Sequence, residues 1–177
     1  MTGSPHTRLV VLRGNSASGK STLAAALRDR CGGGLAVVSQ DLIRRTVLRE
    51  PDVPGAANIS LIGVVARHAL DHGFDVVVEG ILTASRYGAM LTGLAADHAG
   101  ATFFFYADVP FEETVRRHAT RAQAREFGAE ELRSWYRERD LLPGGVEEVI
   151  GEAESLAAST ELVLTRTGLG DRGAGRP

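Results

Sequence analysis

Residues 14–22 of the chain read Gly14-Asn15-Ser16-Ala17-Ser18-Gly19-Lys20-Ser21-Thr22, which fits the pattern G-x-x-x-x-G-K-[ST]. In such a loop the glycines allow backbone N–H groups to converge on a phosphate, and the following helix adds partial positive charge at its N-terminus. The chain has 20 basic residues, and Lys20 is its single lysine. A compact ammonium reaches between the β- and γ-phosphates of a nucleotide, where a planar guanidinium does not fit. The stretch therefore predicts a phosphate-binding loop.

The segments on either side of this loop support that prediction. Leu9 to Leu12 is a short apolar run typical of a buried parallel strand. Ser21 to Arg28 is rich in helix-forming residues and is followed by three glycines at 32–34. The alternative is a glycine-rich turn that binds nothing, but strand, loop and helix in this order are what phosphate binding requires. We therefore assign all nine loop residues to nucleotide binding, with the Ser21 hydroxyl placed to ligate Mg²⁺.

The rest of the chain alternates strand-like and helix-like segments. Further strands are predicted at 35–39, 74–80, 101–106 and 161–164. Helices are predicted at 42–48, 57–72, 86–99, 111–120, 130–139 and 146–158. This alternation predicts an α/β fold, a three-layer sandwich in which helices cover both faces of a five-stranded parallel sheet. We expect one domain over residues 1–167, and the glycine- and arginine-rich residues 168–177 predict a disordered tail.

Size and composition restrict the class of protein. The chain has 177 residues, is 44% hydrophobic and 24% charged, and carries a net charge of −2, as expected for one globular domain. This net charge gives no general attraction to nucleic acid or to an anionic membrane, and it argues against a long nucleic-acid substrate. No apolar run approaches the ~20 residues that span a bilayer, and the N-terminus lacks a signal-peptide core. With a single cysteine, a cytoplasmic location is predicted. The sequence does not determine the oligomeric state.

Two carboxylates follow predicted strands at the edge where open α/β sheets bind their ligands. Asp41 comes directly after the strand at 35–39, where a carboxylate accepts the proton of an attacking hydroxyl or holds Mg²⁺ through water. Arg44 lies about one helical turn later and is placed to hold an anionic acceptor or the transferring phosphoryl group. Glu79, near the end of the strand at 74–80, is placed to orient the water around Mg²⁺ or to bind the acceptor. The alternatives are a helix cap for Asp41 and a solvated strand end for Glu79.

Arginines at every fourth position form a third candidate group. Arg117, Arg121 and Arg125 share one face of a helix. On a lid over the triphosphate, expected at about 117–140, such side chains neutralise charge in the transition state. Arg117 and Arg121 are the stronger candidates and are also assigned to binding of the nucleotide. The alternative is a solvated basic face paired with neighbouring glutamates.

Taken together, these motifs resemble those of small P-loop kinases, the group that includes phage polynucleotide kinase, zeta-toxin kinases and chloramphenicol phosphotransferase. The resemblance covers roughly Thr7 to Arg125 and includes the loop, Gln40-Asp41-x-x-Arg44, Glu79-Gly80 and the arginines after Asp108-Val109-Pro110. It implies a P-loop NTPase fold with strand order 2-3-1-4-5, and ATP and Mg²⁺ as cofactors. In polynucleotide kinase, a D-x-x-R pattern supplies the general base and a phosphate-binding arginine, which implies these roles for Asp41 and Arg44. The lid arginines of such kinases correspond to Arg117 and Arg121.

The leading hypothesis is therefore an ATP-dependent kinase that phosphorylates a hydroxyl of a small molecule: an antibiotic, a nucleoside, a nucleotide or a sugar derivative. Asp41 would activate the hydroxyl, while Lys20, Arg117 and Arg121 stabilise the migrating charge. Ser21 would hold the metal together with Asp41, Glu79 or both. Arg86, Tyr87 and residues 135–140 are candidates for an acceptor pocket, although Trp135 and Tyr136 suit lid packing equally well. The alternatives are a nucleoside monophosphate kinase and a non-kinase regulatory ATPase. A regulatory ATPase needs a residue that orients the attacking water and a segment that reports the γ-phosphate, and no motif for either is evident.

Overall fold

The computed structural model describes residues 1–120 and 127–170. Within this part of the chain, five parallel strands form a sheet in the order β2-β3-β1-β4-β5, which confirms the predicted fold class and strand order. The strands are β1 (Arg8–Gly14), β2 (Leu35–Ser39), β3 (Asp75–Glu79), β4 (Ala101–Asp108) and β5 (Glu147–Gly151). The helices are α1 (Lys20–Cys31), α2 (Ala57–Asp71), α3 (Ala84–Asp97), α4 (Phe111–Ala119), α5 (Ala129–Trp135) and α6 (Leu156–Thr167), and Leu42–Leu48 forms a π-helical segment.

The central strand β1 is buried on both faces because its apolar run is uninterrupted. Leu9 and Val11 belong to the hydrophobic core beneath α2 and α3. Val10 and Leu12 belong to the core beneath α1 and α6. Burying each such side chain contributes about 1.5–3 kcal/mol. The strand that leads into the phosphate-binding loop at residues 14–22, called the P-loop below, is thus fixed from both sides of the sheet.

The prediction was wrong for the fifth strand and for the helix before it. Residues 161–164 lie in α6, and the start of the helix predicted at 146–158 forms β5 instead. Ser155 begins α6 by accepting a hydrogen bond from the Ala158 amide at 3.1 Å. The buried residues of this helix follow helical spacing: Ser159, Thr160, Val163 and Thr167. At the edge of the sheet, β5 buries Ile150 alone of its five residues, so it lacks the apolar run that marks a buried strand.

Arg13, the residue of β1 next to the P-loop, is fully buried and is held by groups from distant segments. Its Nη1 atom lies 2.7 Å from Glu147 Oε1, and its Nη2 atom lies 3.1 Å from Asp140 Oδ2. Its Nε donates to the carbonyl of Leu82 at 2.8 Å. A buried charge needs such compensation. The guanidinium therefore joins the start of the P-loop to the chain after β3 and to the chain around β5.

The C-terminal boundary lies beyond the predicted one. Gly168 ends α6 with a φ of 63°, and Leu169 is buried in the core beneath α1 and α6. These two residues, assigned to the tail from sequence, thus pack with the domain. Residues 171–177 lie outside the described part of the chain. Among the described residues, no helix has the length and apolar character needed to cross a membrane.

Candidate active site

The P-loop connects β1 to α1 and requires glycine where it passes close to β4. Gly14 has a φ of +142°, and a Cβ atom there would lie 2.5 Å from the Ala107 carbonyl oxygen. Lys20, at the start of α1, is 7% exposed. Its Nζ donates to the Asn15 carbonyl at 2.6 Å and to Ser18 Oγ at 3.1 Å. The ammonium is therefore folded over the loop backbone, where the motif places it to meet phosphate.

The hydroxyl of Ser21 meets the carboxylate of Glu79 at the end of the neighbouring strand. Ser21 Oγ donates to Glu79 Oε2 at 2.9 Å, and Glu79 is 4% exposed. The buried side chain argues against the alternative of a solvated strand end. A hydroxyl and a carboxylate are hard oxygen ligands of the kind that Mg²⁺ binds. The residues present therefore fit a magnesium site at this point.

Asp41 lines the same pocket as Lys20, Ser21 and Glu79. Its side chain is 67% exposed and forms an ion pair with Arg44, with 3.3 Å between Asp41 Oδ1 and Arg44 Nη2. It makes no side-chain hydrogen bond to the backbone of the π-helical segment that follows it, so helix capping does not explain its presence. The exposed carboxylate is thus available in the pocket that residues of the loop also line.

Arg44, three residues after Asp41, is partly buried. Its Nη1 atom donates to the Glu50 carbonyl at 3.4 Å, while its buried Nε has no hydrogen-bond partner among residues 1–120 and 127–170. The segment that carries it is π-helical, a geometry found frequently at functional sites. Arg44 therefore holds the Asp41 carboxylate and retains a donor that the described residues leave unsatisfied.

Arg117 reaches from α4 to the P-loop. Its Nη1 atom donates to the Ser18 carbonyl at 3.4 Å, and its Nη2 atom donates to the Glu152 carbonyl at 3.2 Å. Its Nε donates to Glu113, whose pKa is lowered to about 2 by hydrogen bonds from Arg116 and Arg117. The alternative prediction for this segment was a solvated basic face paired with neighbouring glutamates, and it describes Arg116, which binds Glu113. Arg117 differs from Arg116 because it also contacts the distant residues Ser18 and Glu152.

Not every predicted lid residue can be placed. Arg121 and Arg125 lie outside the described residues, so their roles stay predictions. Trp135 packs edge-on against Phe127, with ring centroids 4.9 Å apart. The Tyr136 hydroxyl donates to the Val109 carbonyl at 3.2 Å. Both aromatic residues thus pack around α4 and α5, and Tyr136 also lines a pocket with Phe111 and Arg139, so their role at the acceptor stays a prediction.

The sequence reasoning missed two groups of polar contacts around the pocket. Asn15, within the P-loop, uses its side-chain amide to bind the backbone of Arg137, with distances of 2.7 and 2.9 Å. Gln40, next to Asp41, is 3% exposed and donates to the Tyr87 hydroxyl at 2.7 Å. The position of Gln40 beside Asp41 was the available signal, whereas nothing in the sequence linked Tyr87 to it.

A family model described as AAA domain, AAA_33, matches residues 9–142. The chain belongs to this family. In this AAA_33 member the matched residues include the P-loop, Asp41, Glu79 and Arg117, while β5 and α6 lie beyond the match. Among curated protein sequences, none matches the chain significantly.

Solved structures share the fold of this AAA_33 domain at low sequence identity. The Mycobacterium tuberculosis APS kinase, in complex with AMPPNP and APS, has a TM-score of 0.69 and 22% identity over 91% of this chain and 97% of the kinase chain. A gluconokinase from Sinorhizobium meliloti has a TM-score of 0.62 and 18% identity over 92% and 91% of the two chains. A sugar kinase from a Janibacter species has a TM-score of 0.64 and 20% identity over 90% and 93%. The resemblance to small P-loop kinases is thus confirmed.

Proposed function

We propose that the chain is an ATP-dependent kinase that transfers the γ-phosphate to a hydroxyl group of a small-molecule acceptor. The observation that carries this proposal is the pocket that Asp41 shares with Lys20, Ser21 and Glu79. A phosphate-binding lysine beside an exposed carboxylate brings the donor phosphate and the attacking hydroxyl into one place. The kinases among the structural neighbours support the same reaction class.

The phosphate side of the reaction belongs to residues 14–22. The backbone N–H groups of this loop and the N-terminus of α1 bind the phosphates of ATP. Lys20 donates to the terminal phosphates and stabilises the charge that moves from the γ- to the β-phosphate. Arg117 approaches the loop at Ser18 and adds positive charge from the lid. Arg121 is assigned the same role on its sequence position alone.

Ser21 and Glu79 would hold the magnesium ion, because their oxygen atoms already lie 2.9 Å apart. Bound Mg²⁺ would supply charge neutralisation on the phosphates during transfer. Asp41 lines the same pocket and would contact the metal through water. Glu79 is buried and Asp41 is exposed, which favours metal binding for the first and acceptor chemistry for the second.

Asp41 acts as the general base on the acceptor. A carboxylate oxygen of Asp41 takes the proton of the acceptor hydroxyl, and the acceptor oxygen forms a bond to the γ-phosphorus. The bond between the γ-phosphorus and the bridging oxygen of the β-phosphate breaks, and ADP leaves. Arg44, paired with Asp41 at 3.3 Å, keeps the carboxylate oriented towards the pocket. The proposed acceptor is an antibiotic, a nucleoside or nucleotide, or a sugar derivative. The predicted location of the protein is the cytoplasm.

The test is transfer of labelled phosphate from Mg-ATP to a panel of acceptors. The panel contains D-gluconate, D-glucose, adenosine, thymidine, APS, chloramphenicol and the common nucleoside monophosphates. We expect a phosphorylated organic product with the wild-type chain and a loss of turnover of about 10²-fold or more in Asp41→Asn, since a general base contributes that much. Asp29→Asn, at an exposed position of α1, is the matched control and is expected to keep wild-type turnover.

Three outcomes would count against the proposal or against part of it. Wild-type turnover in Asp41→Asn removes Asp41 as the base. Transfer of phosphate to water alone favours a regulatory ATPase over a kinase. Products formed only from nucleoside monophosphates at their phosphate groups identify a nucleoside monophosphate kinase instead.

A further inference from the structure

Gln40 connects the two chain segments that carry the candidate carboxylates. It lies directly before Asp41 at the end of β2, and its side chain is buried. Its Oε1 atom accepts a hydrogen bond from the Leu82 amide at 3.1 Å. Leu82 lies three residues after Glu79, which is the last residue of β3. One side chain therefore ties the segment of Asp41 to the segment of Glu79.

Gly80 gives Gln40 the space to make this connection. A Cβ atom on Gly80 would lie 2.6 Å from Gln40 Cβ and would also overlap with Gln40 Oε1. Real Cβ atoms do not approach other atoms so closely, because the interior is already packed to crystal density. The glycine after Glu79 thus allows the backbone of β3 to pass directly against the Gln40 side chain.

Tyr87 anchors Gln40 from the opposite side. Its side chain is fully buried, and its hydroxyl accepts from Gln40 Nε2 at 2.7 Å. The hydroxyl proton is directed to Asp52 Oδ1 or Asn58 Oδ1, each 2.8 Å away. Burial, together with the hydrogen bond to Asp52, raises the pKa of Tyr87, so the hydroxyl stays protonated at neutral pH. The anchor is a satisfied buried network, which holds a side chain in one orientation.

A second buried network in the same chain shows what a purely structural role looks like. Thr7 is fully buried at the amino end of β1, and its hydroxyl lies 3.0 Å from His98 Nε2. It also accepts from the Ser4 amide at 3.0 Å and donates to the Ser4 carbonyl at 2.9 Å. This network is comparable in burial and in its number of bonds, but it lies at the end of the sheet opposite the P-loop.

We infer that Gln40 and Tyr87 are positioning residues that hold Asp41 at a fixed place relative to Glu79. This inference rests on the proposed function, since it assigns to Gln40 and Tyr87 the spacing between the base and the metal-binding carboxylate. Both side chains are buried, and neither lines the pocket that Lys20, Ser21, Asp41 and Glu79 share. A displacement of about 1 Å at a reacting group can cost about 10²-fold in rate, so loss of this support is expected to lower kcat and not ATP binding.

The experiment compares Tyr87→Phe and Gln40→Met with Thr7→Val as the matched control. All three replacements remove hydrogen-bonding atoms and keep most of the side-chain volume. With Mg-ATP and the organic acceptor that the panel identifies, Tyr87→Phe and Gln40→Met are expected to lower kcat by about 10- to 100-fold, with KM for ATP unchanged. Thr7→Val is expected to lower the melting temperature about as much as the other two replacements do, but to keep the wild-type kcat.

A second readout does not depend on activity. Amide hydrogen exchange at Leu82 is expected to become faster in both Gln40→Met and Tyr87→Phe, because the Leu82 N–H loses its fixed acceptor. Unchanged exchange at Leu82 in Tyr87→Phe would overturn the inference, as would wild-type kcat in both variants or an equal loss of kcat in Thr7→Val. If no organic acceptor is phosphorylated at all, the proposed function fails, and the exchange measurement still decides whether Tyr87 holds Gln40 in place.

Discussion

Ser21 and Glu79 are joined by a hydrogen bond of 2.9 Å from the serine hydroxyl to Oε2 of the carboxylate. The contact links the first turn of α1, which follows β1, to the end of β3. In the chain β2 separates these two strands, but in the sheet β1 and β3 are neighbours. It places a P-loop hydroxyl against the carboxylate that ends the neighbouring strand. Two hard oxygen groups of the kind that Mg²⁺ binds therefore lie next to each other.

Replacing Ser21 with alanine tests this relationship. We expect the magnesium concentration that gives half-maximal turnover to rise by about 10-fold or more, because a ligand is lost and Glu79 loses its partner. Ser21→Thr keeps the hydroxyl and is expected to retain the wild-type requirement. Ser60→Ala, which removes a hydroxyl bonded to its own helix in α2, is the control. An unchanged magnesium dependence in Ser21→Ala would show that the hydroxyl does not serve the metal.

Two adjacent arginines of α4 differ in what they contact, and turnover is expected to separate them. Arg117 donates to the Ser18 carbonyl of the P-loop, whereas Arg116 donates to Glu113 on its own helix. Arg117→Gln is expected to lower kcat by about 10³-fold, the lower end for an arginine that stabilises a transferring phosphoryl group. Arg116→Gln is expected to stay close to wild type. Equal effects of the two replacements in steady-state kinetics would favour a solvated basic face for both.

Gly80→Ala is expected to disturb Gln40 and the segment of Asp41. The added methyl group overlaps with the Gln40 side chain, and overpacking of this kind costs about 1–3 kcal/mol in the free energy of unfolding. Gly93→Ala is the matched control, because a Cβ on Gly93 in α3 meets nothing within 4 Å, and alanine stabilises a helix by up to about 1 kcal/mol. Urea unfolding of both variants measures the difference. Wild-type stability and turnover in Gly80→Ala would mean that Gln40 adapts freely.

Arg13→Met is expected to be strongly destabilising. The replacement leaves the carboxylate of Glu147, which is 1% exposed, and that of Asp140 without their buried partner, and breaking a buried ion pair costs about 3–5 kcal/mol. Arg30→Met removes an ion pair with Glu161 that is more than half exposed, and such surface pairs contribute about 0–1 kcal/mol. Urea unfolding compares the two variants, and a loss below 1 kcal/mol in Arg13→Met would contradict the role given to the buried guanidinium.

The parts of the fold that follow from local sequence were predictable. The P-loop is defined by glycines and a lysine at fixed spacing, and the continuous apolar runs of β1 and β3 identify them as buried parallel strands. Asp41 and Glu79 were expected near the loop because strands of a parallel sheet end at one edge. Their common pocket agrees with that expectation.

The parts that depend on tertiary contacts were not predictable. A short apolar run such as 162–164 fits a strand or a buried helix equally well, and the decision depended on the packing of Val163. Gln40 and Tyr87 are 47 residues apart, and neither belongs to a motif that links them. Their meeting depends on how α3 packs beside β3, which a single sequence does not reveal.

The bond between Asn15 and the backbone of Arg137 has a mechanical consequence. The side-chain amide of Asn15 donates to the Arg137 carbonyl and accepts from the Arg137 N–H, so it connects the P-loop to the segment that follows α5. A shift of the loop would therefore pull directly on the backbone at position 137 through the Asn15 side chain. The position of the loop and that of the segment after α5 are thereby linked by two hydrogen bonds.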